Sequence, residues 1–213
     1  MKVTIFSSLP EFFSVTNLSI MGRSLREKIW SLNIIDIKQY GLGGYQRIDD
    51  TPYGGGSGMI LRPDVIEKSI ESNFPASKPR IILTSPRGKK FDQKMAFELS
   101  KEDNFAIFCN RFEGVDQRAI QYYNLEEISI GDYILFGGEV AAIVILESIV
   151  RLIPNVINSH DNEDSFCGKL ENMLEYDHYT KPAIWNELTV PEVLRSGNHT
   201  EINKWKLTNA KKI

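Results

Sequence analysis

Apolar residues fall along this chain in short compact runs, separated by stretches with helical spacing. Residues 2–6 form a β-rich run. Residues 33–39 form a second, in which Ile35 and Ile37 alternate with Asp36 and Lys38. Residues 80–84 and 104–109 are continuous apolar runs, suited to parallel strands buried on both faces. Residues 126–130 resemble a fifth. Between these runs, residues 62–72, 92–100 and 116–123 carry helix-compatible spacing, with Asp92 and Asp116 placed to cap their helices. Residues 138–152 are a long, mostly apolar helix candidate stopped by Pro154. Alternation of this kind predicts an α/β domain around a parallel sheet.

Two stretches break the rhythm. Residues 41–58 hold seven of the fifteen glycines, together with Pro52, and predict no regular element. A segment of that length is a functional loop or a mobile one. Residues 155–164 are polar and aperiodic, which reads as a linker. Beyond them, residues 171–213 read as a small helical unit with Trp185 and Trp205. No internal repeat or low-complexity segment stands out.

Composition adds little at first. The chain has 213 residues, 42% hydrophobic and 25% charged, which is ordinary for a globular protein and excludes a disordered chain, a collagen and a coiled-coil rod. Twenty-five Lys and Arg against 28 Asp and Glu leave a net charge of −3, which taken alone speaks against a nucleic-acid partner. Local charge reverses that impression. Residues 161–177 carry six carboxylates against Lys169, a net of −5. Residues 195–213 carry Arg195, Lys204, Lys206, Lys211 and Lys212 against Glu201, a net of +4. A solvated helix face accounts equally well for that basic tail.

Cys109 and Cys167 form no paired framework, so reduced thiols in a cytoplasmic protein are expected. Residues 1–6 lack the apolar core and small-residue cleavage site of a signal peptide, and the longest apolar run (140–146) is too short to span a membrane. His160, His178 and His199 lack metal-ligand spacing, so no metal site is assigned. The glycine clusters satisfy neither the P-loop nor the dinucleotide fingerprint, and no G-x-S-x-G elbow is present.

What remains is three loops, each following a strand of the buried set. They are Thr84-Ser85-Pro86-Arg87-Gly88, Asn110-Arg111-Phe112-Glu113-Gly114-Val115-Asp116, and residues 129–139. Ligands of parallel α/β sheets bind at the carboxyl ends of strands, and these loops fall there together. Their glycines let backbone approach a flat ligand, and free N–H and C=O groups can read an adenine edge. A small-molecule pocket is therefore expected.

These residues also resemble a known family. Asp50-Thr51-Pro52-Tyr53-Gly54-Gly55-Gly56-Ser57-Gly58-Met59, Arg111-Phe112-Glu113-Gly114-Val115-Asp116-Gln117-Arg118 and Ser129-Ile130-Gly131-Asp132-Tyr133 are similar to motifs of the bacterial tRNA (guanine-N1)-methyltransferases, the TrmD type. So are Glu163-Asp164-Ser165-Phe166, His178-Tyr179-Thr180-Lys181-Pro182 and Ser196-Gly197-Asn198-His199. The resemblance runs nearly end to end, with the six blocks in family order.

The resemblance implies a trefoil-knotted SPOUT domain with a parallel sheet over residues 1–154, the knot lying at about 84–138. It implies a flexible linker at 155–170 and a C-terminal helical tRNA-binding domain at 171–213. The implied activity is methyl transfer from S-adenosylmethionine to N-1 of the guanine just 3′ of the anticodon in tRNA, by a cytoplasmic homodimer. Donor contacts carry over to Ser85 and Pro86, to Asn110, Phe112, Glu113 and Gly114, and to Ser129, Ile130, Gly131, Tyr133, Leu135, Gly137 and Gly138. Ile130, Tyr133 and Leu135 are expected to meet adenine mostly through backbone, and Glu113 to attract the sulfonium. Asp164 carries over as general base and Arg151 as the cation facing the guanine oxygen. Magnesium is associated with this enzyme type. Departures from the family include Asn110 in place of glycine, Phe112 in place of tyrosine, Ala141 in place of proline, and a longer stretch between Phe166 and His178 that places Glu175 where an aspartate is usual. A SPOUT methyltransferase acting on ribose hydroxyls and a non-catalytic RNA-binding module are the alternatives.

Overall fold

The computed structural model describes residues 1–157, 165, 166, 170 and 173–212. The chain divides into two compact units, Met1–Asn158 and Ser159–Ile213. The first is built on a five-stranded sheet in the order β2-β1-β6-β5-β7, every pair parallel. Its strands are β1 (Lys2–Ser7), β2 (Ser31–Asp36), β5 (Arg80–Lys90), β6 (Asn104–Phe108) and β7 (Glu126–Ser129).

The compact apolar runs are explained by helices on both faces of that sheet. Along β6, Phe105 and Ile107 turn to one face while Ala106 and Phe108 turn to the other. One face packs on α3 (Gln93–Leu99) and α5 (Glu139–Val150) through Met95, Leu99, Ile145, Leu146 and Ile149. The other packs on α2 (Pro63–Asn73) and α4 (Gln117–Tyr123) through Val65, Ile66, Ile70, Ala119 and Ile120. Phe6 and Phe108 stack across neighbouring strands at 5.3 Å. Helix starts follow the capping logic: the Asp92 carboxylate accepts from Met95 N at 2.8 Å, and Asp116 caps α4 through Arg118 N at 2.9 Å.

Three elements differ from expectation. The strand expected over 33–39 ends at Asp36, because its carboxylate accepts from Lys38 N at 2.9 Å and turns the chain into a 3₁₀ helix, Ile37–Tyr40. The third strand does not stop at Thr84. It bulges at residues 85–88 and resumes pairing with β7 through Lys89 and Lys90. Gly88 permits this, since a Cβ there would run into the backbone of Glu127 and Ile128. A 3₁₀ helix at Pro10–Asn17 and α1 (Ser19–Arg26), not anticipated from spacing, connect β1 to β2.

The glycine-rich stretch is irregular, but it is anchored at its ends. Asp49–Asp50 (β3) pairs with Ile60–Leu61 (β4), and Arg62 clamps the base. Its guanidinium donates to Asp50 at 2.8 Å and bidentately to Asp64 at 3.0 and 2.9 Å. Hydrogen bonding from Arg62 holds the Asp64 carboxyl below its ordinary range. Asp50 is held low by the backbone N–H of Thr51, then by Arg47 and Arg62.

The second unit is less helical than expected. Its described residues carry two short antiparallel pairs, β8 (Met173–Leu174) with β11 (Lys211–Lys212) and β9 (Ile184–Trp185) with β10 (Leu188–Thr189). The hairpin turn places Asn186 and Glu187 at φ of 47° and 66°, a left-handed pair that sequence periodicity does not report. Helices α6 (Glu192–Arg195) and α7 (His199–Asn209) follow. Asn198 caps α7, accepting from Thr200 and Glu201 N–H at 3.2 and 3.3 Å. Tyr176 and Tyr179 meet Trp205 edge-on at 5.9 and 6.2 Å.

Carboxyls with depressed folded-state pKa values stabilise fully above their unfolded value near 4 and lose that contribution as pH falls through the lower folded value. Urea denaturation at about pH 7 and about pH 3 should show wild type losing more stability on acidification than Arg62→Met. Equal losses would contradict the clamp.

Candidate active site

A cleft of about 670 Å³ opens over the β5 bulge and the carboxyl ends of β6 and β7. The three loops meet there through a few short bonds. Gly138 N donates to Asn110 O at 2.7 Å, and Asn110 N donates to Thr84 Oγ1 at 3.0 Å. Gly138 is required at this crossing: a Cβ would strike Thr84 Oγ1 and the Asn110 backbone. The middle loop is fastened to the glycine-rich segment. Glu113 N donates to Met59 O at 2.9 Å, and Leu61 N donates to Gly114 O at 2.9 Å.

All thirteen residues singled out as donor contacts line this cleft. Ser85 and Pro86 sit in the β5 bulge, where Ser85 Oγ donates to Glu127 at 2.8 Å. Asn110, Phe112, Glu113 and Gly114 form the wall after β6, with Phe112 in the left-handed region at φ 60°. That conformation costs a non-glycine residue about 1–2 kcal/mol and is characteristic of functional loops. Ser129, Ile130, Gly131, Tyr133, Leu135, Gly137 and Gly138 form the wall after β7. Ser129 Oγ donates to Gly131 O at 3.1 Å and accepts from Gly131 N at 3.2 Å, while the Tyr133 hydroxyl donates to Ile130 O at 3.1 Å.

Of the two catalytic candidates, only Arg151 is among the described residues, and it does not line this cleft. Arg151 is the exposed C-cap residue of α5, its N–H bonded to Glu147 O at 3.0 Å. Asp164 lies outside the described residues. Its neighbour Ser165 is fixed by a reciprocal pair with Glu175, at 2.9 Å each way, and Glu175 also meets His178 Nε2 at 2.8 Å.

Sequence reasoning overlooked several side chains. Glu139, the first residue of α5, is only 2% exposed. It accepts from Ser7 Oγ at 3.0 Å and pairs with Arg111 at 3.4 Å. A carboxylate at a helix N-terminus complements the macrodipole. The signal for it was present: a single acid opening an otherwise apolar run. The Cys109 thiol is pushed up by burial and by the Glu139 charge, so it is an inert part of the core. Pro52 and Tyr53 also line the cleft, which brings the glycine-rich loop to its rim.

A glycine-walled cleft over the carboxyl ends of a parallel sheet is where α/β domains place a small-molecule ligand. The whole chain, residues 1–213, matches the profile of the family described as tRNA (Guanine-1)-methyltransferase TrmD. A protein of Pelagibacter ubique (strain HTCC1062) named tRNA (guanine-N(1)-)-methyltransferase is 46% identical over 215 residues, covering 100% of this chain and 92% of its own. Proteins of the same name from a Wolbachia strain of Culex pipiens and from Roseobacter denitrificans are 46% and 42% identical. They cover 96% and 99% of this chain and 90% and 87% of their own. The chain belongs to the TrmD family of tRNA (guanine-1)-methyltransferases.

Among the described residues, no group of three or more His, Cys, Asp or Glu side chains could hold a metal ion.

Replacing Gly138 with Ala should destabilise the fold by about 1–3 kcal/mol through overpacking at the loop crossing. Gly44→Ala, where nothing lies within 4 Å, should be close to neutral. Thermal unfolding of both variants checks the contrast, and two equal shifts would contradict it.

Proposed function

We propose that this protein transfers a methyl group from S-adenosylmethionine to N-1 of the guanine immediately 3′ of the anticodon in tRNA. The observation that carries the reading is the meeting of all thirteen motif-assigned residues on one cleft, in a chain of the TrmD family. The pocket suits the donor: it is large enough for a nucleoside, glycine-walled, and holds a buried acceptor, Asn110 Oδ1, with no partner among the described residues. The family resemblance adds the SPOUT trefoil knot across residues 84–138.

Bound S-adenosylmethionine supplies an electrophilic methyl group on a sulfonium and departs as a neutral thioether. Backbone at Ile130, Tyr133 and Leu135 holds the adenine, and the Glu113 carboxylate sits on the loop that faces the sulfonium. Guanine N-1 carries a proton at neutral pH, so attack needs a base and a counter-charge at O-6. Asp164 takes the N-1 proton. Arg151, always protonated and planar, donates to O-6 as negative charge grows there.

The protein acts as a homodimer, with Asp164 delivered to a partner's cleft. Exposed Phe12, Val15, Leu18 and Ile20 near α1, with Val140 and Val144 on α5, support a self-association surface. The basic tail docks tRNA. Lys211 is already paired with Asp177 at 2.6 Å, so Arg195, Lys204 and Lys212 carry more of the phosphate contact. No helix among the described residues is long and apolar enough to cross a membrane, which accords with work in the cytoplasm, where tRNA is found.

Incubation with labelled donor and unmodified tRNA transcripts tests the reaction. Label should enter a tRNA with guanine 3′ of the anticodon and not one with adenine there. No incorporation, with tRNA still bound, would favour an RNA-binding module instead. Asp164→Asn should lower kcat by about 10²–10⁴ while binding of S-adenosylhomocysteine persists. An unchanged rate would remove Asp164 from the chemistry.

A further inference from the structure

The amino-acid half of the donor is a zwitterion, and a site that holds it needs a cation for its carboxylate. Three arginines line the cleft: Arg87, Arg111 and Arg118. Two of them are rim groups. The Arg87 side chain is 68% exposed and shared between Gln117 at 3.2 Å and Glu127 at 3.5 Å. Arg118 is 72% exposed and held bidentately by Asp116 at 2.9 and 2.7 Å.

Arg111 is different. Its side chain is 27% exposed, and Cδ and Nη1 press so closely on Gly137 that a Cβ there would lie 2.9 Å from each. Nη1 meets Glu139 at 3.4 Å, and the other guanidinium N–H groups have no acceptor among the described residues. Glu139, buried and also bonded to Ser7, anchors the guanidinium from the core side. One residue away, Asn110 Oδ1 is buried with no partner among the described residues. Buried polar atoms without partners are rare in native folds, so the orphaned Asn110 Oδ1, beside a cleft-lining guanidinium with spare donors, points to a ligand.

We propose that Arg111 binds the carboxylate of the donor's amino-acid moiety, with Asn110 Oδ1 accepting from the ammonium beside it. The assignment rests on the donor reading above and goes beyond it by giving each end of the zwitterion a side chain. A half-desolvated guanidinium fork matches a carboxylate in geometry, and the contact is stronger here than at the rim because less water screens it. Glu139 acts as a positioning residue that keeps the fork from turning into solvent.

Calorimetric titration of the full-length protein with S-adenosylhomocysteine and with 5′-methylthioadenosine tests this, since the second ligand keeps the adenosine and thioether but lacks the amino acid. Wild type should prefer S-adenosylhomocysteine. Arg111→Met should cut that preference about tenfold to a hundredfold, the size of a lost charge-assisted hydrogen bond, and leave 5′-methylthioadenosine affinity unchanged. Arg111→Lys should keep part of the preference. Asn110→Gly should weaken S-adenosylhomocysteine alone. A wild-type ratio in Arg111→Met overturns the assignment. So does joint loss of both ligands, which would make Arg111 structural. Wild type that binds neither ligand refutes the donor reading itself, and the assignment with it.

Discussion

Three loops share one cleft because their bases are bonded to one another before any ligand arrives. The crossing of Gly138, Asn110 and Thr84, with bonds of 2.7 and 3.0 Å, is the contact on which the site depends. It ties β5 just before its bulge, the end of β6 and the start of α5 into one seam. Only glycine fits at position 138, so the seam dictates the residue there. A preformed cleft lowers the ordering cost of binding, since little backbone has to be fixed when the ligand enters.

Glu139 extends that seam into the core. Burying a carboxylate is costly unless it is hydrogen-bonded and paired. Here Ser7 from β1 and Arg111 from the loop after β6 meet that demand, with the α5 N-terminus adding favourable field. Strand β1, the middle loop and the longest helix of the first unit thus converge on one side chain. The glycine-rich segment is attached differently, through the half-buried Arg62–Asp50–Asp64 clamp and the backbone bonds from Glu113 and Leu61. Its inner part carries positive φ at Gly54, Gly55, Gly56 and Gly58, the conformational freedom a rim loop needs.

The parallel sheet was legible in the sequence because burial on both faces makes each strand a compact apolar run, as in β6. The cleft was legible because glycine, proline and charge cluster after three such runs. What escaped was set by tertiary contact. The resumption of β5 after its bulge depends on Gly88 lying against β7, which no local pattern encodes. The end of β2 depended on a local Asp36 cap that alternation concealed. The hairpin at Asn186 and Glu187 has no apolar period and read as helix by default. Arg111 and Glu139 were visible as letters, yet their pairing across 28 residues needed coordinates. Donor contacts came through resemblance, residue by residue, and the geometry now gives them a common wall.

The most direct test of the central claim is a crystal structure of the protein with S-adenosylhomocysteine. The account places the ligand between Ser85, Asn110 and Gly138, with adenine against Ile130, Tyr133 and Leu135 and the carboxylate on Arg111. Ligand bound anywhere else, or a cleft whose three loops separate at the Gly138–Asn110 bond to admit it, would contradict the account.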